Sequence, residues 1–209
     1  MSFNKSKMKL YIQFFVVLST LVLIPYSVLS ANWKLKTADG SFKLYIRESE
    51  NSPIKEIKIV DKFKGDFKKL TILMNDIETN KKILPSCIDA KLLKDIDVHT
   101  SFQYFYFKMP MTVTDRDIVC KIFIYSTDST YSLTSEAVET KLAPPKKGII
   151  RILNAKTSWT FKKNLKGEIT MEYTGLADPN GSIPAWLVNF FAIREAESAI
   201  ERFKKLLSR

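Results

Sequence analysis

The stretch Ser182-Ile-Pro-Ala-Trp-Leu-Val-Asn-Phe-Phe-Ala-Ile-Arg-Glu-Ala-Glu-Ser-Ala-Ile-Glu-Arg-Phe-Lys-Lys-Leu-Leu207 decides the fold of this 209-residue chain. Leu187, Phe190, Phe191, Ala192, Ala196, Ala199, Ile200, Phe203, Leu206 and Leu207 recur at three- and four-residue spacing, which stacks side chains on one face of an α-helix. Arg194, Glu195, Glu197, Glu201, Arg202, Lys204 and Lys205 fall on the other side. Asp178-Pro-Asn-Gly181 ahead of it reads as a turn. Ser182 is placed to cap the helix, and Pro184 sits near the first turn, where the missing N–H removes no intrahelical bond. One amphipathic helix is therefore expected from Ser182 to about Leu207, with an apolar stripe that needs a partner.

Upstream, the period of two supplies that partner. Ser101–Lys108 is an aromatic strand, and Ile118, Cys120, Ile122 and Ile124 line one face of the next. Tyr131–Val138, Ile149–Leu153, Ser158–Lys163 and Glu168–Thr174 continue the pattern, interrupted by Pro144-Pro145-Lys-Lys-Gly148 and by the turn Asn164-Leu-Lys-Gly167. Alternation of this kind belongs to an antiparallel sheet with one wet face. Before it, Trp33–Arg47 forms a hairpin around Ala38-Asp39-Gly40-Ser41, and Ile54, Ile57 and Ile59 form a third strand. Phe67, Leu70, Leu73, Met74 and Ile77 then switch to helical spacing behind Asp66 as N-cap, and a second short helix ends at Pro85. The class is α+β, with short helices after the third strand.

The first residues belong to a different kind of segment. Lys5, Lys7 and Lys9 precede an apolar run from Leu10 to Ile24, then Pro25 and the short side chains up to Ala31. That is the layout of a cleavable export signal over residues 1–31, cut near 30/31; retention as a membrane anchor is the alternative. The remaining residues, 32–209, suffice for one domain. The formal charge is +11, and losing three lysines and no acid with the signal leaves +8. The lysines are scattered rather than striped, which suits a solvated surface and not nucleic acid. Cys87 and Cys120 form an even pair in an oxidising compartment, compatible with either a disulfide or buried thiols.

Much chemistry is missing. A lone histidine, His99, cannot furnish the usual imidazoles of a zinc site. There is no Gly-x-Ser-x-Gly elbow, no Walker loop and no Gly-x-Gly-x-x-Gly, and the chain holds only six glycines. The carboxylate pairs Asp95/Asp97 and Asp115/Asp117 suit turns and surfaces better than acid–base work. No cofactor, metal or catalytic residue is expected.

Two motifs remain: Met109-Pro-Met-Thr-Val-Thr-Asp-Arg-Asp117 before an apolar strand, and Leu176-Ala-Asp-Pro-Asn-Gly-Ser-Ile-Pro-Ala-Trp-Leu-Val-Asn189 leading into the last helix. Together they resemble the START family of lipid-binding and lipid-transfer domains, a branch of the helix-grip superfamily. Members read Pro…Asp-Arg-Asp before a central strand and Asp-Pro-Gly-Gly-x-Ile-Pro-x-Trp before a lid helix. Asp178, Pro179, Gly181, Ile183, Pro184 and Trp186 match the second motif. Asn180 departs from its first glycine, though Asn also tolerates left-handed geometry. Thr157-Ser-Trp159 matches a Gly-x-Trp-like strand more weakly. The resemblance spans about Trp33 to Leu207.

It implies a helix-grip fold, a curved antiparallel sheet wrapped around the last helix with an apolar tunnel between them. Tyr104, Ile122, Ile150, Ile152 and Trp159 would face that tunnel from the sheet. Trp186, Phe190, Phe191, Ala192, Ala196 and Ala199 would face it from the lid. The alanine row either leaves room for a ligand or packs closely on the sheet. Arg116 either faces the tunnel or is held by Asp115 or Asp117 in an ion pair. In family terms Leu142, Pro144 and Pro145 form a gate loop at the tunnel mouth, where Lys141, Lys146 and Lys147 would approach anionic headgroups. The implied protein is an exported monomer, periplasmic or secreted, that binds a lipid or similarly apolar molecule without covalent chemistry. The rival readings are a cyclase or hydrolase in the same cavity, and an interaction module whose cavity its own side chains fill.

Overall fold

The computed structural model describes residues 32–50, 52–110 and 113–209; the expected signal at residues 1–31 lies outside them. In chain order the elements are β1 (Lys34–Asp39), β2 (Phe42–Arg47), β3 (Glu56–Lys64), α1 (Phe67–Asn75), α2 (Ile77–Ile83), β4 (Cys87–Asp95), β5 (Thr100–Phe107), β6 (Arg116–Ser126), β7 (Thr130–Ala137), β8 (Ile150–Arg151), β9 (Asn154–Lys163), β10 (Glu168–Asp178) and α3 (Ala185–Ser208). The strands form one sheet in the order β1-β2-β3-β10-β9-β7-β6-β5-β4, antiparallel along that path. The two-residue β8 adds a parallel pairing to β6. This is the expected α+β helix-grip architecture, with α3 gripped by the curved sheet.

Local chemistry explains the boundaries. Asp66 accepts the N–H groups of Lys68 and Lys69, starting α1. Asp76 accepts the N–H of Glu78 and begins α2, so two adjacent helices start on aspartates whose oxygens satisfy otherwise unpaired donors. At α3 the expectation fails: the helix starts at Ala185, Pro184 occupies the cap position, and no side chain caps it. Ser182 lies in the preceding turn. The last two long strands run further than their alternation suggested, because β10 continues through Gly175 and Ala177, which lack the side chains that mark a face.

The main core lies where the sheet curls over the C-terminal half of α3. Phe161, Ile169, Met171, Tyr131 and Ile59 meet Ile200 and Phe203 there, with Leu70 and Met74 of α1 closing one side. A second cluster of Phe105, Ile118, Cys120, Ile122 and Ile152 lies over β5, β6 and the strand ends beside them. Both cysteines are buried and free, so the thiol reading holds. Among the described residues no helix is long and apolar enough to cross a membrane.

Candidate functional site

Between the concave face of the sheet and α3 lies a cavity of about 730 Å³. Strand alternation builds its wall. On β6 the inward positions are Arg116, Ile118, Cys120, Ile122 and Ile124, and on β5 they are Gln103, Phe105 and Phe107. From α3 come Leu187, Val188, Phe191, Ala192, Glu195, Ala196 and Ala199. The alanines thus face the cavity: their side chains are too short to fill the space between helix and sheet. Exposed wall residues such as Lys108, Pro110, Ala177 and Phe191 mark its opening. The other end, near Met74, Leu133, Trp159 and Ala199, is enclosed.

The expected site residues divide into two groups. Arg116, Ile122, Ile152, Trp159, Phe191, Ala192, Ala196 and Ala199 lie on the wall. Tyr104 and Ile150 do not. Tyr104 follows Gln103 in β5 and so projects from the opposite face, where Lys146 Nζ contacts its hydroxyl (3.2 Å) and ring. Ile150 packs beside the turn at Gly181. Trp186 and Phe190 are 71% and 50% exposed and point away from the cavity. The loop holding Leu142, Pro144 and Pro145 contributes nothing to the wall. It folds over the face of β5 and β6 turned away from the cavity, held by Lys146 on Tyr104 and by Arg151 Nη1 donating to the Ala143 carbonyl (3.1 Å). His99 is exposed at the tip between β4 and β5, tilted against Phe123.

Asp115, Arg116 and Asp117 are not an ion-paired triplet; each ties a different segment to β6. Arg116 is 2% exposed and donates through Nε to the Pro179 carbonyl (3.1 Å), through Nη2 to the Asn180 carbonyl (2.9 Å) and through Nη1 to the Thr114 carbonyl. Burial lowers its pKa, with Asp115 opposing that shift; an arginine keeps its proton regardless. Arg116 thus lies on the cavity wall, as one expected role had it, while its donors clamp the turn that leads into α3 in place of the expected pairing with Asp115 or Asp117. Gly181 in that turn has φ +80°, and an added Cβ would sit 3.2 Å from both Arg116 Nη2 and Ile150 Cδ1. Asn180 takes φ 58°, as its tolerance of left-handed geometry allows.

Neither aspartate lies on the cavity wall, and Asp117 is buried away from it. Asp115 accepts the Tyr106 hydroxyl (2.5 Å), the Met109 N–H (3.0 Å) and Lys108 Nζ (3.0 Å), closing the loop beside the opening. Those bonds, the tyrosine's first, hold its carboxyl down at about 2. Asp117 takes a two-pronged contact from Arg151, Nε to Oδ1 at 2.6 Å and Nη2 to Oδ2 at 3.0 Å, geometry that matches guanidinium to carboxylate.

The sequence reading missed the polar groups that the cavity does present. Gln103, Ser135, Thr157, Tyr173 and Glu195 all lie on its wall. Glu195 had been placed on the wet side of α3. It follows Ala192 by three residues and precedes Ala199 by four, so helical spacing did carry that signal. Its Oε1 accepts the Ser86 hydroxyl (2.8 Å). For Gln103 no signal chose between the two faces of an aromatic strand.

Comparison with known proteins bears on the whole of this architecture. The sequence profile of the START domain matches residues 27–209. An uncharacterised protein of Pseudomonas aeruginosa is 27% identical over 167 residues, covering 80% of this chain and 82% of that protein. The crystal structure of a STAR-related lipid transfer protein fragment from Xanthomonas axonopodis, 25% identical, superposes with a TM-score of 0.74 over 85% of this chain and 99% of its own. Human START domain-containing protein 10 is 23% identical over 133 residues, which are 64% of this chain but only 46% of that protein. The crystal structure of human STARD10 superposes with a TM-score of 0.76, covering 87% of this chain and 76% of that one at 20% identity. At that identity the likeness speaks for the fold.

Proposed function

The chain belongs to the START domain family, and we propose that it holds one lipid, or a comparably apolar molecule, in its internal cavity and carries it between membranes through an aqueous compartment. The observation that carries this reading is the cavity itself: about 730 Å³, within the ~300–1,000 Å³ range of ligand sites. Its walls are largely apolar, with isoleucine the commonest residue. A core meant only for stability would be expected to close such a space, since each unfilled volume forfeits packing. START domains are in general lipid binders rather than enzymes, and we assign this member no covalent step.

We place membrane contact at the first turns of α3. Trp186 and Phe190 present aromatic side chains to solvent one turn apart, next to Leu187, Val188 and Phe191 of the cavity wall. Lys55 and Lys108 lie on that wall as well, a cationic complement to anionic headgroups. The charged leader favours export, so the periplasm or the exterior is the assigned compartment.

Native mass spectrometry of the full chain purified from membranes tests the central claim. The expected result is a bound lipid released on denaturation. A protein that neither retains nor takes up any lipid from vesicles refutes it, and turnover of an added lipid would move it to the enzyme class. Trp186→Ala with Phe190→Ala should weaken binding to anionic vesicles. Alanines at Lys141, Lys146 and Lys147 should weaken it less.

A further inference from the structure

The cavity wall carries a row of uncharged hydrogen-bonding groups that the lipid-binding reading leaves unassigned. Adjacent strands bring Gly175, Thr157, Ser135, Ile122 and Ser101 opposite one another across β10, β9, β7, β6 and β5. Tyr173 joins this row because its hydroxyl reaches over Gly175; a Cβ there would lie 2.2 Å from that oxygen. Gln103 joins at the other side, donating from Nε2 to the Ser101 hydroxyl (3.2 Å) while its Oε1 is buried with no partner in the protein. It is the one such buried side-chain atom among the described residues. Ser135 lies beside the Cys120 thiol, and burial pushes the Tyr173 phenol up to about 12, so the row is neutral at any physiological pH.

The charged residues on the wall are Lys55, Lys108, Arg116, Lys156 and Glu195. Lys156, next to Thr157, is exposed and by strand alternation projects from the other face, and Glu195 is engaged by the Ser86 hydroxyl. Arg116 stands six residues along β6 from Ile122, roughly 20 Å at about 3.3 Å per residue, and its donors are turned to backbone carbonyls. A carboxylate or phosphate at the row would therefore be desolvated with no cation beside it. A hydroxyl or ester would meet acceptors and donors already in place. The cavity opens to solvent beside Lys108 and Phe191, so the chemistry of the row, and not the volume, selects the head group.

Resting on the lipid-binding reading, we propose that the row Tyr173–Thr157–Ser135–Gln103 receives the uncharged, hydroxyl-bearing head of a lipid of the monoacylglycerol or fatty-alcohol type. The test uses the delipidated full chain at pH 8 and five probes: monoolein, oleyl alcohol, oleate, octadecene and dioleoyl phosphatidylcholine. Each displaces a bound apolar fluorescent dye. Monoolein and oleyl alcohol should bind at least about tenfold more tightly than oleate, and more tightly than octadecene. Tyr173→Phe and Ser135→Ala should each weaken monoolein by about three- to tenfold, the worth of one neutral hydrogen bond, and leave octadecene unchanged. Because octadecene reports the apolar wall alone, a variant that misfolds shows itself by losing both. Gln103→Glu, which keeps the shape and adds charge, should then also weaken monoolein. Preference for oleate or for the phospholipid overturns the assignment while leaving lipid binding intact. So does an equal loss of monoolein and octadecene in a Tyr173→Phe protein whose melting is unchanged. Failure of all five probes to bind overturns the lipid reading together with this one.

Discussion

The two halves of α3 belong to one unbroken helix, yet they are held in different ways. From Ala199 onward, Ala199, Ile200, Phe203 and Leu207 are buried, and Phe203 stacks obliquely on Phe161 with ring centres 5.6 Å apart. Lys204 reaches the fully buried Asp61 at 2.7 Å, an oxygen pair that Ser41 and the Lys62 N–H also serve. Before Ala199 no residue of the helix is fully buried. That half lies over the cavity and is fixed by polar ties at its edges: Asn189 Oδ1 accepting the Lys55 N–H (2.8 Å), Asn189 Nδ2 donating to the Pro53 carbonyl (3.3 Å), and Glu195 on Ser86. Apolar burial anchors one half, and a few individually modest hydrogen bonds hold the other. Local opening should therefore begin at the N-terminal half.

The sharpest way to break this comparison is to truncate one aromatic in each half. Phe203→Ala removes a fully buried ring and should cost about 3–5 kcal/mol in urea denaturation of the whole domain. Phe191→Ala, at the opening, should cost no more than about 1 kcal/mol. Similar losses would mean that the halves are anchored alike. Next in size is Lys204→Met, which leaves Asp61 a buried carboxylate with neutral donors only. A loss of roughly 1–3 kcal/mol is expected, towards the lower end because the Lys204 side chain is 40% exposed. The control Lys205→Met, on the exposed side, should stay within about 0.5 kcal/mol.

Substitutions in the other half should act locally. Gly181→Ala forces a Cβ onto the Arg116 clamp at positive φ and should cost about 1–2 kcal/mol. Asn189→Ala loses two backbone contacts, about 1 kcal/mol. Hydrogen exchange should then quicken at the amides of Leu187 to Ala192 while those of Ile200 to Leu207 keep their protection. Uniform acceleration along α3 would show that the helix opens as a single unit.

The C-terminal half of α3 was legible in the sequence because its stripe is made of large side chains that have one place to go. So were α1 and its aspartate cap, since capping is local chemistry. The cavity was legible only as an ambiguity, because alanine at Ala192, Ala196 and Ala199 fits both a tight interface and a hollow one. What decides between them is sheet curvature, and curvature is set by pairing between strands far apart in sequence. The same limit hid Gln103. Alternation in Phe102–Phe107 predicts two faces but does not say which is concave, so Tyr104 looked as eligible for the cavity wall as its neighbour. Arg116 lies on the wall as expected, but its partners were hidden for another reason: its flanking aspartates suggest a local pairing, whereas the carbonyls of Pro179 and Asn180 lie more than sixty residues away.

The smallest expected effect concerns the loop beside the opening, and its sign follows from one carboxylate. Asp115 is held at about 2, below its ordinary 3.8, chiefly by the Tyr106 hydroxyl and then by the Met109 N–H and Lys108. A carboxyl depressed on folding adds stability above its unfolded pKa and loses it as pH falls through the folded value. The loop should therefore loosen between about pH 4 and pH 2. The apolar contacts of Ile200 and Phe203 carry no charge to lose. The one carboxylate tied to that half, Asp61 with Lys204, is removed in an Asp61→Asn background, where acid should still part the opening from the anchored half. Exchange at the Met109 amide, read against the amides of Ile200 to Leu207, measures the difference. Asp115→Asn, which cannot ionise, should make Met109 exchange fast at neutral pH and flatten its dependence on acid. If Met109 and Phe203 lose protection together in the Asp61→Asn background, the opening and the anchored end of α3 form one cooperative unit. The division between the two halves would then be one of packing alone and not of stability.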